Sequence, residues 1–299
     1  FHLSLKSAQQ DKRWVKEQIL NLTQQQRNDF FQFLATNVLP ENASYFYDPF
    51  FDNCATRPRD IIQKVTGDNL VFKNNFVTKD LSLRQLMNKE INPNTWGSLG
   101  INIALGSKLD AKATTKGFMY LPDYVYSGFN NAFVNNLAYQ KLIKKENELL
   151  KFEELEVAIS IINPLVIFTL LMFFGFWRTY KDIKRKHRSK WFDFTLFFST
   201  GIIGILISFL WFFTDHSTTP NNYNILWAFA PNIFIGFLLL KKKAKKWIKV
   251  YIQFTVLLLL LIPIIWIGKI QQLPIACLPF LLLLLVRYFY LIKKLLPSH

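Results

Sequence analysis

The chain has 299 residues, of which 51% are hydrophobic, and a formal net charge of +16. Residues 1–156 carry 19 Lys and Arg against 17 acids, whereas residues 157–299 carry 17 Lys and Arg against three acids, Asp182, Asp193 and Asp215. Because the basic excess is confined to the apolar half, it indicates loops beside lipid headgroups and excludes a nucleic-acid-binding protein. We therefore expect a soluble domain over residues 1–156 and a transmembrane domain over residues 157–299.

The first half predicts an α+β domain with more helix than strand. Residues Arg13–Leu22 partly alternate and predict a strand, and Thr23 is expected to cap a helix through Asn37, with Gln26 completing a capping box. The other predicted elements are a short aromatic strand at Tyr45–Tyr47 and helices at Ala55–Val65, Ser82–Asn88, Asn94–Ala104 and Pro122–Lys144, the last with a break near Gly128.

The second half predicts an all-α bundle of about five transmembrane helices. The apolar segments are Val157–Trp177, Phe192–Phe213, Ile225–Leu240, Val250–Ile267 and Leu273–Ile292. Most reach the roughly 17–25 residues that cross a hydrocarbon core, and the third is the shortest.

The loops between these segments predict an orientation. Arg178–Lys190 carries seven Lys and Arg and Lys241–Lys249 carries six, whereas Thr214–Asn224 and Gly268–Gln272 carry only Lys269. This alternation places the basic loops and the C-terminus in the cytoplasm and the soluble domain outside, in a multi-pass protein of the inner membrane. We also expect Asp193, near the cytoplasmic end of its helix, to pair with a lysine of a basic loop.

The chain begins at Phe1, without Met and without a signal peptide. A soluble domain of this size outside the membrane has to be exported, so we expect further residues before Phe1.

Cys54 is the main candidate for chemistry. It lies in the segment YFYDPFFDNCATRPRD, where Asn53 is a good helix N-cap and Pro58 falls in a first turn that tolerates proline. A helix start beside Arg57 and Arg59 favours thiolate over thiol. The alternative is a buried structural thiol. The second cysteine, Cys277, lies within an apolar run, which predicts a small buried apolar residue and argues against a disulfide.

A cysteine nucleophile needs a base, normally histidine, and a group that orients the base. The chain has four histidines. His187 is on the predicted cytoplasmic side, His299 is the last residue, and His2 lies at the start of the chain. His216 lies in the predicted outward loop, so the base is either His216 or absent from this chain.

A second polar cluster lies in that loop and comprises Asp215, His216, Asn222, Asn224 and Trp227. It is either a polar turn with an interfacial Trp, as is common at membrane boundaries, or a polar surface that contacts a lipid headgroup or orients the base. The sequence has no metal-ligand cluster, glycine-rich phosphate loop or Ser-His-Asp arrangement, so we expect neither a metal nor a cofactor.

Four segments of the first half resemble the Lnb family of lipoprotein N-acyltransferases, found in Bacteroidetes and some other Gram-negative bacteria. They are RWVKEQILNLT, LPENASYFYDPFFDNCATRPRDII, NTWGSLGINIALGSKLDAKAT and FMYLPDYV, and FFDNCATR is the most specific block. They are similar to the C-terminal half of the Lnb N-terminal periplasmic domain and span most of residues 12–135. The membrane half, including TDHSTTPNNYNILWAFAP, is similar to the C-terminal part of such proteins.

The resemblance implies a partial, permuted papain-like thiol fold of the NlpC/P60 group, with Cys54 as the nucleophile. It implies a bilayer-bound acyltransferase that moves an acyl chain from a phospholipid, through a Cys54 thioester, to the α-amino group of a diacylglyceryl-cysteine lipoprotein. The supporting or substrate-binding candidates are Asn53, Arg57, Asp215, His216 and Asn224.

The histidine of the family is expected upstream of the cysteine in a Gly-His-Thr-like segment. Only His2 precedes Cys54, and it lacks that context. We therefore expect that this chain begins downstream of the histidine or is incomplete, and that it is inactive or severely impaired as given. Two other hypotheses stay open: a membrane-anchored cysteine hydrolase acting on peptidoglycan, and a membrane scaffold without a complete catalytic pair.

Overall fold

The computed structural model describes residues 2–135, 139–153, 160–241 and 245–295. Its helices are α1 (His2–Gln10), α2 (Gln24–Asn37), α3 (Thr56–Thr66), α4 (Leu83–Glu90), α5 (Trp96–Ala104), α6 (Thr115–Phe118), α7 (Pro122–Asn130), α8 (Pro164–Lys184), α9 (Lys190–Phe212), α10 (Asn232–Leu240), α11 (Lys246–Ile267) and α12 (Cys277–Lys294). Its strands are β1 (Val15–Leu20), β2 (Leu70–Phe72), β3 (Ala132–Asn135), β4 (Tyr139–Lys141) and β5 (Ile143–Leu150).

The chain divides into two compact units. The α+β unit comprises Phe1–Leu83 and Lys112–Val157, and the helical unit comprises Arg84–Ala111 and Ala158–His299. Residues Arg84–Ala111 thus come from the first half of the sequence but belong to the unit of the C-terminal helices. The predicted domain boundary between residues 156 and 157 lies outside the described residues.

The α+β unit contains two small antiparallel sheets. In one, β1 pairs with β5 from Val15↔Leu150 to Leu20↔Ile143. In the other, the strand order is β2-β3-β4. The apolar core of this unit is formed by buried residues of α3, α7 and the second sheet, namely Ile62, Leu70, Phe129, Ala132, Val134 and Leu142.

Several predictions in this unit are confirmed. The segment Arg13–Leu22 contains β1. The capping box at the start of α2 is present, since Thr23 Oγ1 accepts from the backbone N–H of Gln26 at 3.2 Å and Gln26 Oε1 accepts from the N–H of Thr23 at 3.0 Å. A helix follows Cys54 and ends where Gly67 adopts φ of 62°, a conformation that favours glycine.

Two predictions in this unit are wrong. Tyr45–Tyr47 is not a strand, because none of the strands in the described residues pairs with it and the chain closes into a turn just after it through the Asp48↔Asp52 bridge. The helix predicted over Pro122–Lys144 ends at Asn130. The residues beyond it form β3, which buries alternate side chains and pairs with β2, so tertiary pairing overrides local helix propensity.

The helical unit contains α8 to α12. Among the described residues, two of these helices, α9 and α11, are long and apolar enough to cross a membrane, judged by length and composition. The third predicted segment is not one continuous helix, because α10 begins only at Asn232, after Pro231. Its nine residues span about 14 Å at 1.5 Å per residue, less than a hydrocarbon core of about 30 Å.

Glycines let α9 approach the chain around the start of α10. A Cβ on Gly204 would lie 2.1 Å from the carbonyl oxygen of Ala228, and one on Gly201 would lie 2.4 Å from the backbone nitrogen of Ile233. Close approach through small residues is typical of helices packed in a membrane.

Buried charges connect α8, α9 and α12, and they correct the prediction for Asp193. The guanidinium of Arg287 donates to Asp182 and to Asp193, each at 2.7 Å, and Arg188 lies 3.5 Å from Asp193. Asp193 therefore pairs with two arginines rather than with a loop lysine. Residues 242–244, part of the second basic loop, lie outside the described residues.

Candidate functional site

Cys54 is exposed and lies two residues before the first residue of α3, Thr56. The side chain of Asn53 caps the turn that leads into the helix, because its Oδ1 accepts from the backbone N–H groups of Ala55 at 2.8 Å and Thr56 at 2.9 Å. The N-cap position of α3 itself is Ala55 rather than the predicted Asn53. Thr56 Oγ1 accepts in turn from the N–H of Asn53 at 2.8 Å. The cysteine is thus held between two residues that bond to one another.

The other end of the Asn53 amide fixes the loop to the rest of the α+β unit. Its Nδ2 donates to the carbonyl oxygens of Pro49 at 2.8 Å and Tyr120 at 2.9 Å. The ring of Tyr120 also packs against Phe50, with 5.0 Å between centroids. Asn53 is buried, and its amide is saturated with partners. An aspartate could keep the cap but would lack the two donors.

The two arginines near Cys54 are paired with carboxylates. Arg57 forms two hydrogen bonds with Asp52, at 2.6 and 2.8 Å, and lies 3.7 Å from the ring centre of Tyr45. Arg59 donates twice to Asp60, at 2.9 and 2.8 Å. The sequence suggested positive charge beside the sulfur, but a carboxylate balances each guanidinium.

Some backbone N–H groups near the start of α3 already donate to an acceptor within the protein, and others do not. The N–H groups of Ala55 and Thr56 donate to Asn53 Oδ1, and that of Arg57 donates to the Asn53 carbonyl oxygen at 3.1 Å. Within the described part of the chain, the N–H of Cys54 donates to no protein acceptor. The amide of the cysteine itself is therefore the donor free to bind an oxyanion.

Exposed aromatic side chains precede Cys54 in sequence. Phe46 is 97% exposed, and Tyr45, Tyr47 and Phe51 are also exposed. The pKa of Tyr47 is raised, first by the loss of hydration and then by the proximity of Cys54.

The histidine predicted as a candidate base, His216, lies in a different unit from Cys54. In the described part of the α+β unit His2 is the only histidine, and it lies in α1. His216 belongs to the helical unit, where it is exposed and its Nδ1 lies 2.9 Å from Thr214 Oγ1. Its role as a base stays a prediction.

The polar cluster of the outward loop separates into two kinds of residue. Asp215 and His216 are exposed, whereas Asn222 and Asn224 are buried. Asn222 Nδ2 donates to the carbonyl oxygens of Ile103 and Ala104, at 2.7 and 3.0 Å, and Asn224 Nδ2 donates to Ile103 at 3.1 Å. These amides satisfy the last carbonyl groups of α5, which lack partners within the helix.

A buried ion pair supports the same helix end. Arg84 donates from Nε to both oxygens of Asp110 at 3.0 Å, and its remaining nitrogens donate to Asn102, Leu105 and Gly106. Burial lowers the pKa of Arg84 and raises that of Asp110, so the loss of hydration outweighs the mutual attraction of the pair.

A cavity of about 550 Å³ lies beside this ion pair within the helical unit. Its lining includes the polar residues Asn94, Thr95, Ser98, Asn102 and Gln272 and the apolar residues Leu99, Leu165, Trp266, Leu273 and Ile275. Because Arg84 is paired with Asp110, these polar residues present neutral hydrogen-bonding groups rather than a free charge.

The described residues contain no group of three or more His, Cys, Asp or Glu side chains placed to hold a metal ion. The reactive group that this site exposes is the thiol of Cys54.

Comparison with known families gives one match in each half of the chain. Residues 4–88 match the family described as the Lnb N-terminal periplasmic domain, and residues 156–296 match the Lnb transmembrane domain. Cys54 and its cap lie in the first match, and His216 and Asn224 lie in the second. No curated protein and no solved structure matches the chain. The chain belongs to the Lnb family, with a periplasmic N-terminal domain and a transmembrane domain.

Proposed function

We propose that this protein is a membrane-bound lipoprotein N-acyltransferase in which Cys54 is the nucleophile. Membership of the Lnb family suggests a membrane protein of the lipoprotein N-acyltransferase type. The observation that supports Cys54 as the nucleophile is its exposed thiol. The preceding residue, Asn53, is fixed by hydrogen bonds at both ends of its amide, and both residues lie in the part of the chain that matches the periplasmic domain.

The reaction has two steps. Cys54 Sγ attacks an ester carbonyl of a phospholipid, so that a C–S bond forms, the C–O bond breaks and the thiol proton ends on the departing lysophospholipid oxygen. The α-amino group of a diacylglyceryl-cysteine lipoprotein then attacks the thioester. A C–N bond forms, the C–S bond breaks, and a proton from the amine returns to sulfur.

The residues around Cys54 have distinct roles in this scheme. The free N–H of Cys54 stabilises the oxyanion in both tetrahedral intermediates. The base is either His216, which loop composition predicts on the same side of the membrane as the soluble domain, or a group that this chain does not contain. Arg57 positions the loop through Asp52 and Tyr45.

A lipid substrate fits the surfaces of both units. The exposed aromatic side chains near Cys54, among them Phe46 and Tyr47, offer contact area for an acyl chain. In the helical unit, the cavity of about 550 Å³ has the size of a small-molecule site. Its neutral polar lining residues suit the glyceryl ester region of a lipid, and its apolar lining residues suit the attached chains.

We further propose five membrane-crossing segments with the C-terminus in the cytoplasm. The lengths of α9 and α11 and the basic residues between the apolar segments support this orientation. The bilayer then gives the enzyme access to both lipid substrates.

The test is lipoprotein acylation in a bacterial host that lacks its own N-acyltransferase. Expression of the full-length protein should add a third acyl chain to a reporter lipoprotein, seen as one extra acyl mass by mass spectrometry. Cys54→Ser should abolish this gain, whereas Cys277→Ser, which changes the buried cysteine of α12, should retain it. Full triacylation by Cys54→Ser would contradict the mechanism, and shortened muropeptides without triacylation would favour the peptidoglycan hydrolase.

A further inference from the structure

A second amphiphilic groove lies between α8 and α12, within the helical unit. It encloses about 480 Å³. Its apolar side includes Ile183, Val286 and Phe289, which are 60%, 39% and 46% exposed. Its basic side is formed by Lys186, Lys293 and Lys294. Exposed apolar side chains therefore lie directly beside exposed ammonium groups.

The floor of the groove is electrically balanced. Asp182, which lines it, accepts from Arg287 at 2.7 Å and from Ser189 Oγ at 2.6 Å. Arg287 also bonds to Asp193, which the partly buried Arg188 approaches, so two arginines face two buried aspartates. This cluster fixes the helices that form the groove without adding net charge to it.

The positive charge at the rim is not balanced in this way. Among the described residues, Lys186, Lys293 and Lys294 take part in no salt bridge. Lys294 Nζ donates to the carbonyl oxygen of Lys186 at 2.7 Å, which joins the end of α12 to the turn after α8. Three cations thus converge at one end of the groove.

We propose that this groove binds an anionic phospholipid. Lys186, Lys293 and Lys294 surround the phosphate, since lysine is a strong point-charge partner for phosphate and basic pockets between membrane helices suit anionic headgroups. An acyl chain extends along Ile183, Val286 and Phe289. A zwitterionic lipid carries no net charge to match the three cations. This site is independent of Cys54, and its failure would leave the proposed acyl transfer untouched.

The experiment measures lipid binding to the purified full-length protein in detergent, by native mass spectrometry, with phosphatidylglycerol or phosphatidylcholine added. Phosphatidylglycerol should bind at least about tenfold more tightly than phosphatidylcholine. The triple variant Lys186→Gln, Lys293→Gln, Lys294→Gln should weaken phosphatidylglycerol binding by roughly a hundredfold, because each lysine near the lipid contributes separately. These side chains are exposed, so the variant should fold, which circular dichroism checks.

The matched control removes three other basic residues, Lys245, Lys246 and Lys249, at the start of α11. This variant has the same net charge as the first and should retain wild-type affinity. A second arm adds inorganic phosphate, which should not displace the lipid at equal concentration because it lacks the chain. Equal losses in both triple variants, equal binding of the two lipids, or displacement by phosphate would each overturn the proposal.

Discussion

Asn53 Nδ2 donates a hydrogen bond of 2.9 Å to the carbonyl oxygen of Tyr120, 67 residues further along the chain. The same side chain caps the turn that leads into α3 through its oxygen. One amide therefore sets both the start of the helix behind Cys54 and the position of that start in the α+β unit.

Asn53→Asp should separate these two functions. The carboxylate keeps the acceptor for the helix N–H groups, but it places negative charge against the carbonyl oxygens of Pro49 and Tyr120. We expect a loss of about 1–3 kcal/mol in the free energy of unfolding of this unit. Faster hydrogen exchange of the α3 amides is the readout. Asn42→Ala, an exposed amide of the preceding loop with one hydrogen bond to Thr36, should change exchange little.

Asp110→Asn should strongly destabilise the helical unit. The carboxyl is buried with Arg84, and removing its charge leaves the guanidinium without a counterion. Breaking such a pair costs about 3–5 kcal/mol. Thermal unfolding in detergent measures the effect. Asp80→Asn removes an exposed partner of Lys112 and should cost at most about 1 kcal/mol. Equal midpoints for the two variants would contradict the role given to the buried pair.

Asp60 should make the α+β unit sensitive to acid. Burial acts to raise the pKa of its carboxyl, but hydrogen bonds from Arg59 and Lys116 and the charges of both residues outweigh burial, so the net pKa is lowered. A lowered folded-state pKa gives stability that is present above the pKa of the unfolded chain, about 4, and is lost as pH falls through the folded value.

Asp60→Asn should therefore lower the free energy of unfolding at pH 7. It should also make that free energy fall less steeply as the pH is lowered from about 5, which urea titrations at intervals of about one pH unit measure. The wild-type protein should show the steeper loss. If the free energies of unfolding of the two proteins decline in parallel over this pH range, the charge of Asp60 does not contribute to stability.

Gly204→Ala should loosen the packing of α9 against the start of α10. The new Cβ would lie 2.1 Å from the carbonyl oxygen of Ala228, and a backbone atom cannot rotate away. We expect a loss of about 1–3 kcal/mol by thermal unfolding. Gly97→Ala in α5 meets nothing within 4 Å and should be neutral or stabilising by up to about 1 kcal/mol. If Gly204→Ala unfolds at the same temperature as the wild-type protein, α9 does not pack against Ala228 as closely as the structure shows.

Features with local signals were predictable from sequence. Thr23 and Gln26 form a capping box three residues apart, and Asn53 precedes a helix that ends at Gly67, so short-range chemistry suffices for each. The Lnb resemblance over residues 12–135 was also informative, although the periplasmic family match itself ends at residue 88.

Features that depend on distant partners were not predictable. The strand β3 exists because β2 pairs with it, and Asp193 bonds to Arg287, 94 residues away. Asn224 belongs to a polar loop in sequence but is buried as a cap on α5. Likewise, Arg57 lies three residues after the cysteine in sequence, and only folding shows that Asp52 balances its charge.

The central claim is that an acyl thioester forms on Cys54. Incubation of the full-length protein with phospholipid, followed by proteolysis and mass spectrometry, should find one acyl chain on the peptide that contains Cys54. Neutral hydroxylamine should remove it, and added lipoprotein acceptor should discharge it. Lipoprotein acylation that proceeds with no acyl group ever found on Cys54, or with the acyl group on another residue, would contradict the account.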